Sequence, residues 1–187
     1  SPFSFKLKRS GNLVLESITD CSMEGPTRFH AFAYNPKPAW QVSLALKSGE
    51  PVYGLGEKFG RLDHRGELIT NWNSDALGVN AERSYKNSPF AWSPEGWGLF
   101  INTPSRVTHA VGYSPWSHRS YITQVEDTNL DFFLFAADTP AEIIAAFTNL
   151  TGKTPALPIW SYGLWMARAY YRTADELLDV VKEMRAR

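Results

Sequence analysis

The segment Thr154–Arg187 reads TPALPIWSYGLWMARAYYRTADELLDVVKEMRAR and decides the fold class that we predict for this chain. Trp160–Met166 is apolar or aromatic at most positions, which is typical of a strand covered on both faces. The residues after Thr173 predict an amphipathic helix. A strand followed by a helix is one unit of a parallel sheet or barrel, and a parallel strand needs parallel neighbours. We therefore expect the chain to be the front part of a larger protein.

Two capping boxes predict where helices begin. Thr173 is followed three residues later by Glu176, and Thr139 by Glu142, so that a hydroxyl and a carboxylate can satisfy reciprocal backbone amides. Gly152 is a natural stop for the first of these helices. The second has an apolar face at helical spacing. That face consists of Leu177, Leu178, Val180, Val181 and Met184.

Short strands are predicted upstream, and we place a domain boundary near Lys153, which gives domains 1–153 and 154–187. Alternating apolar and polar residues, separated by turns rich in Gly, Pro, Asn and Ser, point to an antiparallel β-sandwich. The predicted strands are residues 3–8, 13–15, 29–34, 40–46, 97–102, 106–113, 120–125 and 129–136. Residues 63–80 are polar and are predicted to form a loop.

Composition and charge exclude several classes of function. Nineteen Lys and Arg balance nineteen Asp and Glu, so there is no basic surface for nucleic acid. No run is long and apolar enough to span a membrane. The single cysteine, Cys21, allows no intramolecular disulfide, which favours a reducing compartment and a cytoplasmic location. The four histidines are not closely spaced, so we expect no metal site. We also expect no other cofactor.

Aromatic residues make up 14% of the chain, a high fraction. They suit a large aromatic core between β-sheets, because each ring carries a large apolar area. They would also suit surfaces on which the C–H face of a sugar stacks, although the core interpretation is favoured. The sequence leaves both interpretations open.

Six motifs, in this order, resemble those of glycoside hydrolase family 31, a family of retaining α-glycosidases that includes α-xylosidases and α-glucosidases. They are VYGLGEKF (Val52–Phe59), NWNSDA (Asn71–Ala76), YKNSPF (Tyr85–Phe90), WGLFIN (Trp97–Asn102), TGKTPALPIWSYGLW (Thr151–Trp165) and YYRTADE (Tyr170–Glu176). The resemblance covers residues 51–187. It implies a galactose-mutarotase-like N-terminal β-sandwich followed by the first βα unit of a (β/α)8 barrel.

The resemblance also implies exo-acting hydrolysis of α-linked glycosides with retention. Retaining hydrolysis uses two carboxylates about 5 Å apart. In the family these are aspartates on later barrel strands, and no residue of this sequence matches them, so we assign no catalytic residue and expect the chain alone to be inactive. The piece SYGLWMARAYYRTADE resembles the α-xylosidase branch, so α-xylosides are preferred over α-glucosides. The expected partners are such a substrate, the remainder of the barrel and a possible second copy of the chain.

Three residues are candidates for substrate binding through this resemblance. Asp75 matches an aspartate that reaches over the barrel mouth to sugar hydroxyls, although an aspartate that shapes its own turn is the alternative. Tyr170 matches an aromatic beside the bound sugar, which is Phe in α-xylosidases; packing under its loop is the alternative. Arg168 shares that loop, and it could instead be solvated or ion-paired.

Two other interpretations remain. Glu57, in the GLGE motif, is expected to be a buried structural hydrogen-bond partner rather than a catalytic group. A rival function is a non-catalytic carbohydrate-binding or scaffold β-sandwich. The discriminating feature is the segment 154–187, because a binding module has no use for a strand that is apolar on both faces followed by a capped helix.

Overall fold

The structure is a computed structural model that describes residues 3–21, 28–35, 39–76, 83–165 and 170–187. The chain divides into two compact units, residues 1–152 and 153–187.

The first unit is an antiparallel β-sandwich, as predicted. Its strands are β1 (Lys6–Arg9), β2 (Asn12–Glu16), β3 (Asp20–Cys21), β4 (Arg28–Phe29), β5 (Phe32–Asn35), β6 (Ala39–Ala45), β7 (Tyr53–Gly56), β8 (Leu68–Asn71), β9 (Asn87–Ser93), β10 (Trp97–Ile101), β11 (Val107–Val111), β12 (Ser120–Val125) and β13 (Phe132–Ala136). One sheet has the order β13-β10-β9-β7 and the other the order β5-β6-β12-β11-β8. Two short hairpins, β1–β2 and β3–β4, accompany these sheets.

The hydrophobic core lies between the two large sheets. Inward-facing residues of both sheets form one buried cluster, which includes Leu44 of β6 and Leu99 of β10. Trp97 and Tyr121 stack across it with ring centroids 6.0 Å apart. The Trp97 indole N–H is also satisfied, since it donates to Glu50 Oε1 at 2.6 Å. Much of the aromatic content therefore serves packing, as one of the two interpretations of the composition expects.

The helix α1 (Pro140–Thr151) packs against the four-stranded sheet. Phe147 stacks on Phe90 of β9 with ring centroids 3.9 Å apart. Ile143 is fully buried over Gly98 of β10, where an added Cβ would lie only 2.7 Å from Ile143 Cγ2. Residues of β10 thus alternate between the core and the helix, as the period of a strand requires.

The predicted capping box of α1 is confirmed. Thr139 Oγ1 accepts from the Glu142 N–H at 3.3 Å, and Glu142 Oε2 accepts from the Thr139 N–H at 3.2 Å. The helix ends where expected, at Gly152, whose φ of 104° lies in the region that favours glycine.

The predicted loop over residues 63–80 was wrong for Leu68–Asn71, and the sequence analysis gave no strand for β9; residues 77–80 lie outside the described residues. Part of the predicted loop is β8, the edge strand that pairs with β11. Only Ile69 of β8 reads as a core residue, because Asn71 is buried through hydrogen bonds rather than apolar contact. Two inward residues, one of them polar, give no visible alternation, so the partner strand determines the conformation.

The second unit contains a 3₁₀ helix, Ile159–Tyr162, and the helix α2 (Ala174–Ala186). The strand predicted over Trp160–Met166 does not form in residues 160–165, and Met166 lies outside the described residues. A parallel strand requires N–H and C=O groups from neighbouring strands, and none of the described residues supplies them here. The run turns back on itself instead, with Gly163 N–H donating to Trp160 O at 3.1 Å.

The predicted helix after Thr173 is confirmed. Thr173 Oγ1 accepts from the Glu176 N–H at 3.1 Å, while Glu176 Oε2 accepts from the Arg172 N–H at 2.9 Å, one residue before the capping position. No residue of α2 is buried, and its apolar face is open, with Met184 57% exposed.

Candidate functional site

The loop that follows β8 carries the candidate Asp75, whose side chain is exposed. Its Oδ1 accepts a hydrogen bond from the Tyr85 hydroxyl at 2.5 Å. Among the residues that the structure describes, Oδ2 accepts no hydrogen bond. A carboxylate with one oxygen anchored and the other open can accept from hydroxyl groups of a ligand, and bonds to a charged acceptor are the stronger kind.

Tyr85 is the residue that the sequence analysis missed at this site. Its hydroxyl lies 2.5 Å from Asp75 Oδ1 and 3.0 Å from Ala76 O. Donation to the Asp75 carboxylate favours the protonated phenol, so this hydrogen bond raises the pKa of Tyr85 above its usual value. Tyr85 is therefore protonated at neutral pH and can hold Asp75 in place.

Asparagine amides fix the start of the same loop. The Asn87 N–H donates to Asn73 Oδ1 at 2.8 Å, and Asn87 Nδ2 donates to Trp72 O at 2.9 Å. Asn71 is buried, and its Nδ2 donates to Leu55 O at 2.8 Å. These bonds tie the start of the loop, Asn71–Asn73, to β7 and to the start of β9.

The GLGE motif has a structural role in this arrangement. A Cβ on Gly54 or Gly56 would collide with the backbone of β9, and both glycines have positive φ values, 108° and 80°. The motif thus brings β7 against β9, next to the asparagine cluster. Glu57 itself is exposed, so the expectation that it is a buried hydrogen-bond partner was wrong. Its N–H donates to Lys86 O at 2.7 Å.

An exposed tryptophan stands beside the Asp75 loop. Trp72 is 47% exposed, and the Arg106 guanidinium lies over its ring at 5.3 Å from the centroid. Trp72 lines two cavities, of about 240 Å³ and about 400 Å³. It is an aromatic surface of the kind that the second interpretation of the composition expects.

The remaining candidates belong to the second unit. Tyr170 is 64% exposed and precedes α2. Arg168 lies outside the described residues. Within the described part of the chain, no three His, Cys, Asp or Glu side chains come together in a way that could hold a metal ion. No helix among those residues has the length and apolar character needed to cross a membrane.

Comparisons with known proteins agree with the β-sandwich fold described above. The family model described as the glycosyl hydrolase 31 N-terminal galactose mutarotase-like domain matches residues 1–109. An α-xylosidase of Emericella nidulans is 38% identical over 147 residues, which cover 76% of this chain and 18% of that protein. The α-xylosidase XylQ of Lactiplantibacillus pentosus is 33% identical over 168 residues, covering 90% of this chain and 21% of that protein.

A solved structure is similar over the whole chain. It is a GH31 dextranase of Flavobacterium johnsoniae complexed with glucose, with a TM-score of 0.75 and 25% identity, and the match covers 100% of this chain and 22% of that one. The chain thus spans about a fifth of the length of these relatives.

Proposed function

This chain belongs to glycoside hydrolase family 31, and we propose that it forms the N-terminal, substrate-binding part of a retaining, exo-acting α-glycosidase. In this proposal the two carboxylates that retention requires come from the remainder of a catalytic barrel. The chain by itself is inactive. Its contribution is a loop that contacts the sugar and a sandwich that supports the barrel.

The role of residues 154–187 in this proposal is to form the first βα unit of that barrel. Their apolar side chains support it: Ile159 is 90% exposed and Leu164 is 89% exposed. A large exposed apolar patch usually marks a surface that another structure covers. Trp160–Met166 would become a strand when neighbouring barrel strands supply its hydrogen bonds. Tyr170 and Arg168 would then face the substrate from the loop that follows this strand.

The observation that carries the proposed binding role is the geometry of Asp75. Its carboxylate is exposed, one oxygen is held by Tyr85 at 2.5 Å, and the loop beneath it is fixed by asparagine amides. A preorganised acceptor of this kind suits two adjacent hydroxyl groups of a terminal sugar. Two α-xylosidases among the relatives support α-xylosides as the substrate class, with α-glucosides as the alternative.

A chimera tests this function. The matching N-terminal segment of the Emericella nidulans α-xylosidase is replaced by this chain, and hydrolysis of aryl α-xylosides and aryl α-glucosides is measured. We expect the chain alone to be inactive and the chimera to be active, with a higher kcat/KM on the xyloside. Asp75→Ala should lower kcat/KM about 10- to 100-fold, the range for a lost hydrogen bond to a charged group.

Glu57→Gln is the matched control, because Glu57 is also an exposed carboxylate near this region and should leave kcat/KM unchanged. An active chimera in which Asp75→Ala also changes nothing would remove Asp75 from the substrate site. If the isolated chain binds an α-xyloside as tightly as the chimera does, the rival function, a carbohydrate-binding β-sandwich without chemistry, is supported instead.

A further inference from the structure

The outward face of the segment that includes β8 carries a row of three side chains. Thr70, Trp72 and Ser74 occupy alternate positions, while the intervening Asn71 is buried. Alternation along an extended chain places such residues on one side. Together they offer an indole surface with a hydroxyl-bearing residue on either side of it.

Two arginines flank this row. Arg106 precedes β11, which pairs with β8, and its guanidinium lies over the Trp72 ring. Arg83 is brought alongside from the other direction, since the next residue, Ser84, bridges to Asn73. Arg83 is exposed and forms no ion pair with any residue in the described part of the chain.

These five residues line the cavity of about 400 Å³, which we call the arginine groove; they are Thr70, Trp72, Ser74, Arg83 and Arg106. Its size falls within the roughly 300–1,000 Å³ range of small-molecule pockets. Among the described residues that line it, none is acidic. Glu126 lies nearby, with Oε2 at 3.9 Å from Arg106 Nε. Among the described residues, the two guanidiniums of the groove and the Glu126 carboxylate together carry one net positive charge.

We propose that the arginine groove binds an acidic saccharide, through the carboxylate of a hexuronic acid residue. A guanidinium matches a planar carboxylate with two parallel hydrogen bonds. One net positive charge complements a monoanion better than a doubly charged phosphate. The Trp72 indole supplies the flat apolar surface that the C–H face of a pyranose ring covers.

Arg106 is prepared for this role before any ligand arrives. Its contact with the Trp72 ring restricts the guanidinium to one region, so less conformational freedom is lost on binding. The inference goes beyond the function proposed above, because it concerns an anionic ligand and residues other than Asp75. It also requires no hydrolysis and can be measured on this chain alone.

Titration of the chain with sodium glucuronate tests the proposal, with the indole N–H signals followed by two-dimensional NMR. The signal of Trp72 is identified by its loss in Trp72→Phe. We expect saturable shifts of this signal with glucuronate, and weaker binding of glucose and of acetate. Arg83→Gln and Arg106→Gln should each weaken glucuronate binding by up to about fivefold, the upper end of the range of an exposed ion pair, and raised salt should weaken it further.

Arg61→Gln is the control, since Arg61 is exposed and does not line the groove; its affinity should match the unsubstituted chain. Unchanged indole N–H signals of the other tryptophans show that each variant is folded. The proposal is overturned if glucose, acetate or inorganic phosphate binds with the same affinity as glucuronate. It is also overturned if both arginine variants retain full affinity for glucuronate. Methyl α-xyloside, a neutral probe of the Asp75 loop, reports separately on the function proposed above.

Discussion

At the scale of single residues, the core contains a histidine that cannot take up a proton without cost. His109 is fully buried, and its Nδ1 lies 2.6 Å from the Tyr121 hydroxyl. Burial lowers the pKa of His109 to about 3. The neutral ring is therefore the form that the fold accommodates.

This depressed pKa predicts a loss of stability in mild acid. Below about pH 6.5 the unfolded chain protonates His109, and the folded chain does so only near pH 3. The free energy of unfolding should thus fall by about 1.4 kcal/mol per pH unit across this window through this residue, and the contribution is fully present above pH 6.5. Urea unfolding between pH 7 and pH 5 measures the slope.

His109→Gln should reduce the slope of the free energy of unfolding against pH by the contribution of about one proton. This holds whatever effect the substitution has on stability at pH 7. His30→Gln, at an exposed histidine, is the control and should leave the slope almost unchanged. Equal slopes for His109→Gln and the unsubstituted chain would show that His109 is not the group that titrates.

Tyr85→Phe tests whether the hydroxyl positions Asp75. The substitution removes the 2.5 Å hydrogen bond and keeps the ring. In the chimera we expect a rise in KM for the aryl α-xyloside of about two- to tenfold, the range for one hydrogen bond, with kcat less affected. Tyr34→Phe, at another exposed tyrosine of the same unit, should change neither constant. A Tyr85→Phe chimera with unaltered KM would argue against a positioning role.

The sequence showed Asp75 but not its partner, for a physical reason. Asp75 and Tyr85 both lie in motifs of the resemblance, but only a carboxylate in a polar loop suggests ligand binding by itself. Tyr85 lies ten residues further on, and the bridge between Asn73 and Ser84, together with the hydrogen bonds of Asn87, brings it back to Asp75. That approach depends on tertiary structure, so no local sequence pattern predicts the contact between Tyr85 and Asp75.

At the scale of elements, the sequence predicted structure correctly where the stabilising interactions are local. Both helix starts could be predicted because Thr139 and Thr173 each find their amide partner within one turn. The predictions for β8 and for the segment Trp160–Met166 were wrong for opposite reasons. The first is polar but receives a partner in β11, and the second is apolar but receives none among the described residues.

The contact between α1 and β10 gives a prediction at this scale. Gly98→Ala places a methyl group 2.7 Å from Ile143 Cγ2 and 3.3 Å from the Phe135 and Phe90 rings. Because this site is already filled, we expect a loss of about 1–3 kcal/mol in the free energy of unfolding, measured with urea. Gly60→Ala is the matched control, since an added Cβ there meets nothing within 4 Å. Equal urea midpoints for Gly98→Ala and Gly60→Ala would show that α1 accommodates the added methyl group without a loss of stability.

At the scale of the whole molecule, the two units should differ in resistance to protease. The sandwich is tied by long-range strand pairing, while Trp160, Tyr162 and Trp165 are exposed chymotrypsin sites. Brief digestion should therefore trim the chain between residues 160 and 165 and leave a fragment that retains the sandwich. Mass spectrometry identifies the product. In the active chimera the same sites should be protected, and protection in the isolated chain would contradict the role proposed for residues 154–187.

The strand order of the sandwich has a consequence for synthesis on the ribosome. Every strand of the two large sheets lies between Phe32 and Ala136, and α1 closes the outer face by residue 151. Among the described residues, none after Thr151 contributes a strand to these sheets. The sandwich can therefore finish folding co-translationally, as N-terminal domains generally do. The aromatic segment that follows would then leave the exit tunnel beside a scaffold already in its final form.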